Sequence, residues 1–113
     1  MSSDAPRKFE FLCVVPDKPG AKAKRLEIRP KHLEGAVPRK ESRTWNMGGA
    51  IFNSVPEGTD PTKFDFAGSA VVAVAETKEQ VIEQLKEDIY YKEGVWDVDN
   101  AQIFPYLNAF RNP

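Results

Sequence analysis

The chain has 113 residues, 41% hydrophobic and 29% charged, with 16 Lys and Arg set against 17 Asp and Glu for a net charge of −1. That length suits one domain able to bury a core without disulfide or metal staples, and the even charge balance excludes the basic excess of a nucleic-acid surface. A single cysteine, Cys13, excludes an intrachain disulfide, and one cysteine with one histidine, His32, leaves little for a transition-metal site.

Residues 1–7 read as a frayed polar tail and 8–113 as the domain. Lys8 to Val15 alternates as a strand, with Phe9, Phe11, Cys13 and Val15 on one face and Leu12 and Val14 on the other. Cys13 is expected to be a small buried hydrophobe. Pro16-Asp17-Lys18-Pro19-Gly20 is turn chemistry. A helix is expected from about Ala21 to Val37, with Leu26, Pro30, Leu33 and Val37 as its apolar stripe. Proline is costly in mid-helix, so a kink or fresh start is expected at Pro30 and a polar connector from Pro38 to Arg43. Trp45 to Phe52 reads as a second strand in which Gly48 and Gly49 mark a bulge or a close backbone approach. Asn53 to Asp65 is a long loop, and Phe66 to Ala75 a third strand. Thr77 with Gln80 fits a capping box, and Val81, Ile82, Leu85 and Ile89 form the stripe of a second helix. Ala101 to Pro105 supplies a fourth strand, and the tail that follows carries Phe110.

The order strand, helix, strand, strand, helix, strand is that of the ferredoxin-like plait, an α+β fold with a four-stranded antiparallel sheet and helices on one face. An apolar open face would need a cover, for which a second copy of the chain is the simplest.

Chemistry centres on His32, whose side chain alone has an unperturbed pKa near neutrality. Lys22, Arg25, Arg29 and His32 repeat at three, four and three, a cationic flank that is either a solvated face or the wall of a pocket for an anion. Asp88 follows Val81 by seven residues, about twenty degrees around a helix, and so edges the buried face. It falls where the helix dipole disfavours negative charge, so the helix ends earlier, Asp88 caps the following turn, or a cation answers it. A His–Asp pair is a recurring acid–base unit. Ser69 would sit on the sheet, able to hydrogen-bond a ligand or simply to permit close packing. Trp45, Tyr90, Tyr91 and Trp96 read as core or interface anchors, with Tyr90 or Trp96 as alternative walls of a pocket.

Asp17-Lys18-Pro19-Gly20-Ala21, Arg25-Leu26 with Arg29-Pro30-Lys31-His32-Leu33, Gly68-Ser69, and Glu87-Asp88-Ile89-Tyr90 with Gly94-Val95-Trp96 follow one another in the order and spacing of the YCII-related (YciI-like) family. The chain resembles that family over nearly its whole length, with Ile89 where the family has proline. The resemblance implies a plait that dimerises into an α/β barrel and an active site around His32 and Asp88.

The expectation is therefore a cytosolic homodimer, without membrane or nucleic-acid partner, performing isomerase- or lyase-type proton transfer on a small organic acid or lactone without a cofactor. His32 and Asp88 would be catalytic, and Arg29, Arg25, Ser69, Tyr90 and Trp96 would bind substrate. The alternative is a metabolite-binding or accessory protein of the same fold.

Overall fold

The computed structural model describes residues 7–112, so the expected frayed tail lies, but for Arg7, outside the described residues. Four strands, β1 (Phe9–Pro16), β2 (Trp45–Phe52), β3 (Phe66–Ala75) and β4 (Gln102–Tyr106), form one antiparallel sheet in the order β2-β3-β1-β4. Helix α1 (Lys22–Glu41) joins β1 to β2, and α2 (Lys78–Glu87) with the single turn α3 (Ile89–Lys92) joins β3 to β4. This is the expected plait, with no helix among the described residues long and apolar enough to cross a membrane.

Alternation along the strands builds the core. Phe11, Cys13 and Val15 of β1, Val71, Ala73 and Ala75 of β3 and Ile103 of β4 turn to one face and meet Val81 and Leu85 of α2. Leu12 and Val14, on the opposite face of β1, are half-covered. Burial pushes the Cys13 thiol from an ordinary value of 9.0 up to about 12, so it behaves as the small hydrophobe expected of it.

Three local expectations change. Helix α1 runs unbroken through Pro30 and Pro38 to Glu41 and absorbs most of the expected connector. Both prolines lie on its exposed side, where water takes up the carbonyls they leave unpaired, so the cost that breaks a buried helix is reduced. The chain then reverses at Arg43, which has a left-handed φ of 61°. The buried side of α1 is Ala21, Arg25 and Ile28 with half-buried His32 and Ala36, whereas Leu33 and Val37 are 45% and 47% exposed. The supposed cationic flank thus supplies part of the buried stripe. In β2 the register shifts fall between Trp45 and Met47 and between Ile51 and Phe52, on either side of the glycines rather than at them.

Helix α2 starts as its sequence dictates. Thr77 Oγ1 accepts from the Gln80 amide at 3.1 Å, while the Gln80 side-chain oxygen accepts from the Glu76 amide at 2.8 Å, one residue earlier than in a strict capping box. Its end determines the site. The helix stops at Glu87, and Asp88 leaves it with an extended ψ of 145° to become the N-cap of α3. Gly94, with φ of 78°, then turns the chain so that Trp96 bridges to Asp17 at the end of β1.

Candidate active site

Two polar clusters grow from the inner side of α1. The first is centred on Arg25, which is 3% exposed. Its Nε and Nη2 donate to the two carboxylate oxygens of Asp17 at 2.7 and 3.0 Å, and Nη2 also donates to Ser69 Oγ at 2.6 Å. The Trp96 indole donates to the same Ser69 oxygen at 3.0 Å. Ser69 reaches these groups because Gly68 lets β3 lie against β1: a Cβ there would stand 2.1 Å from the Val15 carbonyl oxygen.

The second cluster is centred on His32. Its Nδ1 lies 2.7 Å from Asp88 Oδ2, with side-chain exposures of 15% and 5%. The same Asp88 oxygen accepts from the Tyr90 amide at 2.8 Å. The carboxylate therefore caps the turn and answers the imidazole at once, as two of the readings of Asp88 anticipated. Its charge meets the favourable N-terminal end of α3 as well as the C-terminal end of α2. A carboxylate only accepts, so Nδ1 carries the hydrogen and Nε2 is the ring's remaining nitrogen. An ion pair between Arg39 and Glu87 ties α1 to the same junction farther along.

Tyr90 joins the clusters. The His32 ring stacks on it at 3.8 Å with a 10° interplanar angle, and the Arg25 guanidinium carbon lies 4.9 Å from its centroid. Trp96 meets the edges of both rings at 5.6 Å. Both aromatics are at most 1% exposed, so they are core anchors that also back the site. Burial pushes the Tyr90 phenol above its ordinary value, outweighing the opposing pull of Arg25 and Arg29. The hydroxyl stays protonated and donates to the Arg25 carbonyl at 3.4 Å.

A cavity of about 510 Å³ opens between α1 and the β2–β3 half of the sheet, and all the expected site residues except Asp88 line it. That size is ordinary for a small-molecule site. Asp88 stands behind His32. The structure alters two expected roles. Arg25 spends its bidentate edge on Asp17, so it offers no fork to a substrate carboxylate. Ser69 Oγ already accepts from two donors, so only its own hydrogen remains to offer. Arg29 is exposed at the cavity and has no ion pair among the described residues. Asp17, the partner of Arg25, was legible only as part of a turn. The Asn53–Asp65 loop closes its own neck, with the Asn53 amide donating to the Asp65 carbonyl at 2.9 Å, and does not line this cavity. Among the described residues no group of three or more His, Cys, Asp or Glu is placed to hold a metal.

A single-domain α+β plait with a histidine–carboxylate pair at the polar end of a cavity is the class that fold and site define. The chain belongs to the YCII-related family, whose domain profile matches residues 9–103. It is 37% identical over 107 residues to aspercryptin biosynthesis cluster protein B of Emericella nidulans, covering 95% of this chain and 67% of that one. It is 31% identical over 98 residues to fusaric acid biosynthesis protein 2 of Gibberella fujikuroi, covering 86% and 91%. Its fold matches that of 5-chloro-2-hydroxyhydroquinone dehydrochlorinase from Burkholderia phenoliruptrix, solved in complex with 2,5-dihydroxybenzoquinone. The match has a TM-score of 0.71 at 24% identity and covers 88% of this chain and 95% of the other.

Proposed function

We propose that the chain is an acid–base enzyme that moves a proton on a small organic acid or lactone, by isomerisation or elimination. The observation that carries this reading is the 2.7 Å contact between His32 Nδ1 and Asp88 Oδ2 at the wall of the cavity. Asp88 holds the ring in the Nδ1–H form and stabilises its protonated state, while Nε2 takes the substrate proton and returns it elsewhere. Arg29 attracts the substrate anion. Arg25, Ser69, Tyr90 and Trp96 hold the floor on which His32 rests. Two of the relatives carry names from biosynthesis of small molecules, and the matched fold belongs to an enzyme that eliminates chloride. Both agree with a small-molecule acid–base role.

The assembly proposed with it is a homodimer through the open face of the sheet. Met47, Val72, Leu12 and Phe104 are paired across the strands in one row on that face, and Met47 and Phe104 are 49% and 48% exposed. Light scattering would report twice the chain mass.

The test needs no known product. γ-Lactones and 2-oxo acids are incubated with the protein in deuterated water, and exchange of their carbon-bound protons is followed by NMR. Catalysed exchange that His32→Gln abolishes is expected. Exchange equal in wild type and His32→Gln, or none above background, would overturn the reading in favour of a binding protein.

A further inference from the structure

The cavity is not uniform along its length. Its polar end holds His32, Arg29 and Ser69 over Arg25, and the stretch beyond is lined mainly by hydrocarbon, with Asn46 and Lys40 at its rim. Leu33, Ala36 and Val37 of α1 form one wall, and Trp45 and Val71 of the sheet form the other. Leu33 and Val37 are large apolar side chains left nearly half exposed, which globular proteins seldom place together without use. From His32 to Val37 the helix rises about 7.5 Å. The apolar stretch therefore begins at the imidazole and leads away from it.

Gly48 keeps this stretch open. It pairs with Val71 of β3, so the two positions share the face that looks toward α1. A Cβ built on Gly48 meets nothing within 4 Å, and its φ is not left-handed. Neither backbone strain nor close packing calls for glycine here. What glycine does is leave empty the space across from Leu33 and Val37.

Resting on the proton-transfer reading of the same cavity, we infer that the substrate carries a hydrocarbon arm. Its acidic or enolisable head lies at His32 and Arg29, and an alkyl or aryl arm runs between α1 and β2. Gly48 determines specificity by admitting that arm. The class is an acid or lactone with a medium-length hydrocarbon substituent rather than a bare ring.

The probes are butanoate, hexanoate, octanoate and decanoate, titrated by calorimetry while the 15N signals of the His32 ring are followed. Affinity should rise by up to about fourfold per methylene, the water-to-apolar transfer value. In Gly48→Leu the short acid should bind as before and the gain with length should disappear. Val37→Asp, at an exposed position that tolerates change, should reduce octanoate binding at least tenfold and leave butanoate unchanged. Affinity independent of length would overturn the arm, and if butanoate still moves the His32 signals the proton-transfer reading survives alone. Length-dependent binding that never disturbs His32 keeps the arm and removes the proton-transfer reading. Flat affinities with self-association that Val37→Asp abolishes would assign the groove to a second copy of the chain and overturn the proposal.

Discussion

Arg25 and His32 stand seven residues apart on α1, two turns of one helix, and each faces a carboxylate at 2.7 Å. Around Arg25 the polar groups answer one another: Asp17 takes two hydrogen bonds, Ser69 takes two, and Arg25 is 3% exposed. Around His32 one oxygen of Asp88 serves both Nδ1 and the Tyr90 amide, the second ring nitrogen has no hydrogen bond among the described residues, and the ring borders the cavity. An ionic pair of the first kind is closed and serves architecture. A pair of the second kind would, on the proposed reading, leave the far nitrogen of a neutral ring to a ligand. Tyr90 touches both, because the ring on which His32 stacks also lies against Arg25.

The largest expected effect lies at the closed pair. Arg25→Ala leaves Asp17 buried without its cation and should cost about 3–5 kcal/mol in urea denaturation. Replacing both partners by apolar residues, Arg25→Met with Asp17→Leu, should recover most of that. A loss below about 1 kcal/mol would place the pair with surface salt bridges and erase the contrast. His32→Gln should do the reverse, lowering proton-exchange turnover by about 10²–10⁴ with little change in the melting curve.

Ser69→Ala tests whether the clusters are joined. The Arg25 and Trp96 donors both lose their acceptor, so about 1–3 kcal/mol of stability should go. If the tie through Tyr90 holds, the 15N shifts of the His32 ring should move as well; unmoved shifts would show that the clusters are independent. Arg29→Gln should alter stability by less than about 0.5 kcal/mol yet weaken anionic ligands, measured as a higher calorimetric Kd. Equal Kd values would remove Arg29 from the site.

The smallest effect at neutral pH appears only in alkali. Cys13 and Tyr90 both hold their protons more tightly folded than unfolded, because burial disfavours their charged forms. The unfolded chain releases these protons first, near 9 for the thiol. Stability from this source is complete below pH 9 and falls as the pH climbs toward 12, where the folded Cys13 ionises. Thiol labelling at pH 8 should be slow in the native protein and fast in urea. Fast native labelling would contradict the burial.

How far the sequence could be read depended on the distance between interacting residues. The Thr77 start of α2 was legible because a cap is made within one turn. Asp88 was legible as an anomaly, a carboxylate at the edge of a buried face, although its double duty to His32 and Tyr90 was not. The α1 stripe was misassigned for a physical reason. Leu33 and Val37 are apolar but border a cavity, while Arg25 and His32 turn inward because Asp17, Ser69 and Asp88 compensate them from elsewhere. Hydropathy records the cost of burying a residue and carries no information about a partner that offsets it.

By itself, then, the sequence determined the element order, the strand faces, the family resemblance and the suspicion attached to His32 and Asp88, all of which follow from local pattern and spacing. Tertiary structure alone decided that Arg25 is locked while Arg29 has no ion pair among the described residues, and that Gly48 faces an open channel. Those outcomes turn on contacts such as the 56-residue separation of His32 and Asp88, or the 44 between Arg25 and Ser69. Only the folded sheet and helices bring such side chains within hydrogen-bonding distance.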